Sequence, residues 1–156
     1  MFNFLLDLIY KFIDFNTIFK VKLLHPFAEI PTKADIGSAG YDLYSCEECI
    51  IEKGQRMLIK TGISIEIPSY YYLRIAPRSG LSCKGIDIGA GVVDSSYRGE
   101  VKILVINNTP DNYSIKIGDK IAQFIMERCS NSKIEPCYEL SNTDRGENGF
   151  GSTGNI

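Results

Sequence analysis

Tryptophan is absent from the 156-residue sequence, and histidine occurs once, at His25. A lone histidine removes most of the catalytic menu. Any Ser-His or Cys-His scheme, or a multi-histidine zinc site, would have to rest on that one residue. Basic charge is not in excess: 17 Lys and Arg against 19 Asp and Glu leave a net charge of −2. The broad basic footprint of a duplex nucleic-acid binder is therefore missing, although a local arginine cluster is not excluded. No stable nucleic-acid binding is expected. The five cysteines are an odd number and cannot all pair within one chain. Cys46 and Cys49 form a C-x-x-C, but Cys83, Cys129 and Cys137 offer no second one to complete a four-thiolate zinc site. Reduced thiols are the expectation, in an intracellular protein, cytoplasmic or nuclear and not secreted.

Long uncharged runs are also lacking. The first nineteen residues, MFNFLLDLIYKFIDFNTIF, are strongly apolar, but Asp7, Lys11 and Asp14 interrupt them, so they cannot span a bilayer as an uncharged helix. They have neither the basic start nor the small-residue cleavage site of a secretory signal. Asn3, Asp7, Lys11 and Asp14 recur at helical spacing and draw one polar stripe. This N-terminal extension, residues 1–19, reads first as an amphipathic helix docked on its own or a neighbouring subunit. Attachment to a membrane surface, and a targeting or start-site origin, stay open behind that reading.

The length fits one domain, and a chain of this size buries a core without staples. From Lys20 onward short runs rich in β-branched and aromatic residues take over: 21–24, 56–60, 63–67, 71–76, 101–107, 113–117 and 121–127. Gly, Pro, Asn and Asp separate them, which predicts an all-β single domain over 20–141, a distorted barrel or jelly-roll-like fold. Only Ser79 to Lys84 reads as a helical turn within it. Residues 142–156 are too glycine-rich for a strand or helix and read as a mobile tail.

Four segments carry chemistry. Pro77-Arg78-Ser79-Gly80-Leu81-Ser82 sets a cation, hydroxyls and a glycine at the start of a turn. That composition suits an anion and equally suits an ordinary capped turn. Gly89 to Gly99, with Gly91, Val92, Val93, Asp94 and Tyr97, reads as a β-hairpin. Its small residues would admit a flat ligand to the backbone, or merely close a polar tip. In Gly118 to Gln123 a turn feeds a strand, where the Gln123 amide is either structural or meets a ligand. The tail lacks the order of a Walker A loop. It could still wrap phosphates through backbone N–H groups, Arg145, Ser152 and Thr153, with Phe150 stacking on a base.

Taken in order, these segments resemble the five motifs of the trimeric deoxyuridine triphosphatases (dUTPases), eukaryotic and large-DNA-virus members above all. Motif one is Ala39-Gly40-Tyr41-Asp42-Leu43-Tyr44-Ser45, motif two Ala76 to Leu81, motif three Gly89 to Gly99, motif four Gly118 to Gln123 and motif five Arg145 to Gly154. Lys102 departs from the small residue that several relatives have after motif three, and the N-terminal extension lies outside the pattern. A dCTP deaminase-like relative and a catalytically silent trimeric binding module are the competing readings. The motif-five tail with Phe150, and intact Asp42, Asp94, Tyr97 and Arg145, weigh against them.

The resemblance implies hydrolysis of dUTP to dUMP and pyrophosphate with Mg²⁺, supplying dUMP for dTMP synthesis and keeping uracil out of DNA. Asp94 would orient the water that attacks the α-phosphate in line. A carboxylate is a weak base at neutral pH, so positioning outweighs proton abstraction. Asp42 would hold the metal through its water shell, as suits an ion that dehydrates reluctantly. Arg78, Ser79, Gly80 and Gln123 would grip phosphates, joined by Gly151, Ser152 and Thr153 of the tail, while Arg145 would resemble an arginine finger. The backbone from Gly91 through Val92 and Val93 to Asp94 would pair with uracil. Cytosine would leave buried groups unpaired, at about 1–3 kcal/mol each. Tyr97 would lie under the deoxyribose and exclude a 2′-hydroxyl, with Phe150 above the uracil. A homotrimer with shared active sites is implied, each site drawing motifs from all three chains.

Overall fold

The computed structural model describes residues 18–130 and 132–149. The expected helix over the extension therefore falls almost wholly outside the described residues, and so do Phe150, Gly151, Ser152 and Thr153. Eleven strands and a single helical turn make up the rest: β1 (Lys20–Leu23), β2 (Tyr41–Tyr44), β3 (Cys49–Ile51), β4 (Arg56–Lys60), β5 (Ile63–Glu66), β6 (Tyr71–Ala76), α1 (Ser79–Ser82), β7 (Ile86–Gly89), β8 (Val92–Val93), β9 (Lys102–Asn107), β10 (Tyr113–Ile115) and β11 (Lys120–Arg128). Apart from that turn the described residues are all-β, as the residue pattern predicts.

Every pairing is antiparallel. A four-stranded sheet runs β2-β11-β6-β8 and a three-stranded one β4-β9-β7, with the pairs β1-β5 and β10-β3 beside them. Alternation drives this arrangement. In β9, Ile103, Val105 and Asn107 are buried while Lys102 faces out, the period of two that lets one face of a strand join a core. Leu43, Ile51, Ile59, Ile63, Leu73 and Phe124 are among the fully buried side chains, gathered from β2 to β11. Tyr41 stacks on Phe124 at 5.0 Å, and Phe19, at the end of the extension, meets both rings edge-on. Asn107 is the most buried polar side chain of β9. Its amide donates to the Ile51 and Asp111 carbonyls and its oxygen accepts from Thr109 N–H, so burial leaves nothing unpaired.

Two strand readings change. The strand expected over 113–117 stops at Ile115, because Lys116 N–H turns to the Asp119 carboxylate at 2.8 Å and Asp119 N–H returns to the Lys116 carbonyl. Gly89 to Gly99 is not a hairpin. β7 pairs with β9 while β8 pairs with β6, so the segment crosses from one sheet to another. The crossing turns on Ala90 and Gly91, at φ of 58° and 98°.

Candidate active site

Register brings the first group of site residues together. β11 lies between β2 and β6, with Gln123 opposite Asp42 on one side and Ala76 on the other. Pro77 and Arg78 continue from β6, so three distant segments meet at the end of one sheet. Asp42 is mostly buried, and its backbone N–H donates to the Thr32 carbonyl at 2.7 Å. Its carboxylate faces two cations: Arg78 Nε lies 3.1 Å from one oxygen and Lys120 Nζ 2.8 Å from the other. Arg78 also donates to the Lys120 carbonyl. The hydrogen bond that Lys120 donates to the Asp42 carboxylate, aided by that carboxylate's charge, holds the ammonium above the usual lysine range.

Beyond Arg78 the chain makes the one turn of α1, with Leu81 and Ser82 N–H groups both reaching back to the Arg78 carbonyl. The opening N–H groups of such a turn, here those of Ser79 and Gly80, have no intrahelical acceptor. The Gln123 amide donates to the Pro77 carbonyl at 3.0 Å, which fixes the amide and holds the motif-two backbone. Asp42, Arg78, Ser79, Gly80, Lys84 and Gln123 line one open cleft of about 450 Å³. A cleft with two cationic side chains, hydroxyl and amide donors and one carboxylate suits a polyanion.

The second group assembles elsewhere. Val92, Val93, Asp94, Tyr97, Glu100 and Lys102 line a separate cleft of about 340 Å³, which shares no residue with the first. Gly91 joins Val92 and Val93 in a smaller adjoining recess. At φ 98°, with its carbonyl accepting Ile75 N–H at 2.8 Å, Gly91 is pinned to β6 in a conformation that disfavours any side chain. A Cβ there would stand 3.0 Å from the Ile75 carbonyl oxygen. Asp94 is exposed, and among the described residues no hydrogen bond or ion pair engages its carboxylate. Tyr97 folds back over Gly99, where a Cβ would stand 2.5 Å from the ring, and its hydroxyl donates to the Glu100 carbonyl at 3.0 Å.

Arg145 is brought to neither cleft. Its guanidinium donates to the nearby Asn148 carbonyl, within a bend that Thr143 and Gly146 close. The segment before it is uncovered: Ile134, Tyr138 and Leu140 are 97%, 108% and 86% exposed. The thiols of Cys46 and Cys49 are pushed up by burial, and among the described residues no group of His, Cys, Asp and Glu forms a metal-holding cluster. In the first cleft Asp42 is the only lining carboxylate. One carboxylate already facing two cations fits a Mg²⁺ ion held through water and bound chiefly by a substrate's phosphates, not a direct protein cage.

Lys84, Lys120 and Glu100 carry charge at the two clefts, and the sequence alone gives none of them a role. Lys120 lies inside the Gly118 to Gln123 stretch, and a cation where that turn feeds the strand is the available signal. Glu100 directly follows Gly99, and nothing local distinguishes it.

A family model described as dUTPase matches residues 27–154. The deoxyuridine 5′-triphosphate nucleotidohydrolase of Monkeypox virus is 51% identical over 127 residues, spanning 81% of this chain and 84% of the viral one. That of Vaccinia virus (strain Copenhagen) is 50% identical over the same length, spanning 81% and 86%. Among solved structures, the dUTPase of Staphylococcus bacteriophage 80alpha with dUPNHPP superposes with a TM-score of 0.84 at 29% identity, covering 89% of this chain and 99% of that one. A mutant dUTPase of phage phi11 of S. aureus, described with a structural Mg(II) ion, gives 0.76 at 25% identity, covering 81% and 100%.

Proposed function

This chain belongs to the dUTPase family, and on that premise we propose that it hydrolyses dUTP to dUMP and pyrophosphate at sites shared between copies of itself. The observation that carries the reading is the division of the site residues into two clefts without a common member. One has the chemistry of a triphosphate cradle and the other that of a nucleoside pocket. In a homotrimer the cradle of one copy would face the pocket of the next. The uncovered Ile134, Tyr138 and Leu140 support an arm that finds its cover, and delivers Arg145, on a neighbouring copy.

Within such a site Arg78, Ser79, Gly80 and Gln123 would bind the phosphates. Arg78 would leave Asp42 for the substrate while Lys120 stays on the carboxylate. Asp42 would hold Mg²⁺ through water, and the ion when bound neutralises phosphate charge. Backbone groups from Gly91 to Asp94 would read the uracil edge, and Tyr97 would lie under the sugar. Asp94, whose carboxylate has no described partner, would orient the attacking water. Arg145 and the tail residues Phe150, Gly151, Ser152 and Thr153 would close over the substrate. An intracellular setting belongs to the same proposal, supported by five thiols that cannot all pair within one chain.

The test is pyrophosphate release from dUTP, dCTP, UTP and dTTP, each with and without Mg²⁺. Release from dUTP that depends on Mg²⁺ and far outpaces release from the other three nucleotides is expected. Equal release from dCTP or UTP would overturn the base and sugar assignments, and no release from dUTP would overturn the function.

A further inference from the structure

The loop that carries Tyr97 is fastened to β5 and its approach at several points. Ser64 Oγ donates to the Arg98 carbonyl at 2.8 Å, and Thr61 Oγ1 donates to the Val101 carbonyl. Val101 N–H in turn donates to the Ile63 carbonyl at 2.8 Å. Between these anchors lies Glu100, whose groups face three ways. Its backbone carbonyl accepts the Tyr97 hydroxyl at 3.0 Å, Oε1 accepts Gly62 N–H at 3.0 Å, and Oε2 stands 3.8 Å from Lys102 Nζ. Tyr97 itself is 46% exposed, and the phenol bond to the Glu100 carbonyl holds the tip of its ring.

We propose that Glu100 is a positioning residue for sugar selection. Its carboxylate ties the residue to Gly62 and Lys102, and its carbonyl thereby presents a fixed acceptor that holds the Tyr97 ring in the nucleoside cleft. The inference rests on the reading of Tyr97 as the surface under the deoxyribose. Steric rejection of a 2′-hydroxyl demands a ring that does not yield, because displacements of about 1 Å already change rates markedly. Removing the carboxylate leaves Gly62 N–H without its acceptor and Lys102 without its counter-ion. The carbonyl under the phenol is then free to shift, and the ring with it.

The experiment measures kcat/KM for dUTP, UTP and dCTP in the full chain and in Glu100→Ala, Glu100→Gln, Tyr97→Phe, Tyr97→Ala and the Glu100→Ala/Tyr97→Ala double variant. A shape-based pocket rejects an added hydroxyl by roughly 10²-fold, so loosening its floor should cut the dUTP to UTP ratio by about 10-fold in Glu100→Ala. The dUTP to dCTP ratio should stay put, because base reading lies on the Gly91 to Asp94 backbone. Glu100→Gln should restore the sugar ratio, since an amide oxygen still accepts Gly62 N–H. Tyr97→Phe keeps the ring but deletes the donor to Glu100, so it should lower the ratio as Glu100→Ala does. It serves equally if the alanine variant fails to fold. In the Tyr97→Ala background, Glu100→Ala should change the ratio no further.

A parallel loss on all three nucleotides would show a merely structural residue and overturn the inference. A ratio moved by Tyr97→Ala but untouched by Glu100→Ala and Tyr97→Phe would overturn it while the sugar reading stands. No effect of Tyr97→Ala would remove the sugar reading, and the role of Glu100 with it.

Discussion

Replacing Gly91 with alanine tests the link between backbone conformation and base choice. At φ 98° a residue with a Cβ is strained by about 1–3 kcal/mol. Relaxation is blocked, because the new Cβ would lie 3.0 Å from the Ile75 carbonyl oxygen while Ile75 N–H holds the Gly91 carbonyl at 2.8 Å. Ile75 pairs with Phe124 within the four-stranded sheet and cannot withdraw without disturbing it. At about 2–4 °C per kcal/mol for a chain of this size, melting should fall by roughly 2–12 °C. Scans at one protein concentration are needed, since assembly shifts melting by mass action. The segment meant to pair with uracil would be displaced too, so the dUTP to dCTP ratio of kcat/KM should drop. Ala90→Gly is the control: Ala90 already sits at φ 58°. Relief of about 1–2 kcal/mol of left-handed strain there outweighs or balances about 0.4–1 kcal/mol of added unfolded-state entropy. A Gly91→Ala protein with unchanged melting and unchanged base selectivity would refute the reasoning.

Asp94→Asn should bind dUTP and lose most turnover, because shape is kept and the charge that orients water is gone. Near-normal kcat would remove Asp94 from the mechanism. Lys120→Met leaves Asp42 with Arg78 as its remaining cation, so Arg78 should be released less readily; a raised KM for dUTP is expected, and an unchanged KM would count against the exchange. Glu127 is held below the usual carboxylate range by hydrogen bonds from Tyr72 and then Arg74. The stability lost in Glu127→Gln should thus be seen above the ordinary glutamate pKa and vanish as pH falls through the depressed one. Melting curves of the two proteins that stay parallel into strong acid would contradict this. Truncation after Asn142 should collapse kcat/KM for dUTP, and an active truncation would show that Arg145 and the tail are dispensable.

Much of the strand pattern was legible because it is local. β4 and β6 match their sequence readings to the residue: β4 has an apolar centre between Arg56 and Lys60, β6 is aromatic and apolar around Arg74, and Gly54, Pro68 and Pro77 set them off. β3 and β7 escaped because strands of 3 and 4 residues are too short to establish a period, even though Asp87 alternates with Ile86 and Ile88. The supposed hairpin at Gly89 failed for another reason: which partner a strand takes is decided by β6 and β9, far off in sequence. Residue composition points to the Arg78 and Gln123 segments, but Asp42 and the shared role of the three enter only through resemblance, since they meet only once β11 lies between β2 and β6. Lys120 and Glu100 stayed hidden because their partners, Asp42 and Gly62, are distant in the chain.

Subunit complementation tests the central claim most directly. Arg78→Ala damages the phosphate cleft and Asp94→Asn the nucleoside cleft, so each variant alone should have little dUTP hydrolysis. Co-expressed in equal amounts and assembled at random, they should regain about a quarter of wild-type activity, the share of sites that draw both intact clefts from different copies. A mixture no more active than its parents would place both clefts of each site on one chain and contradict the account.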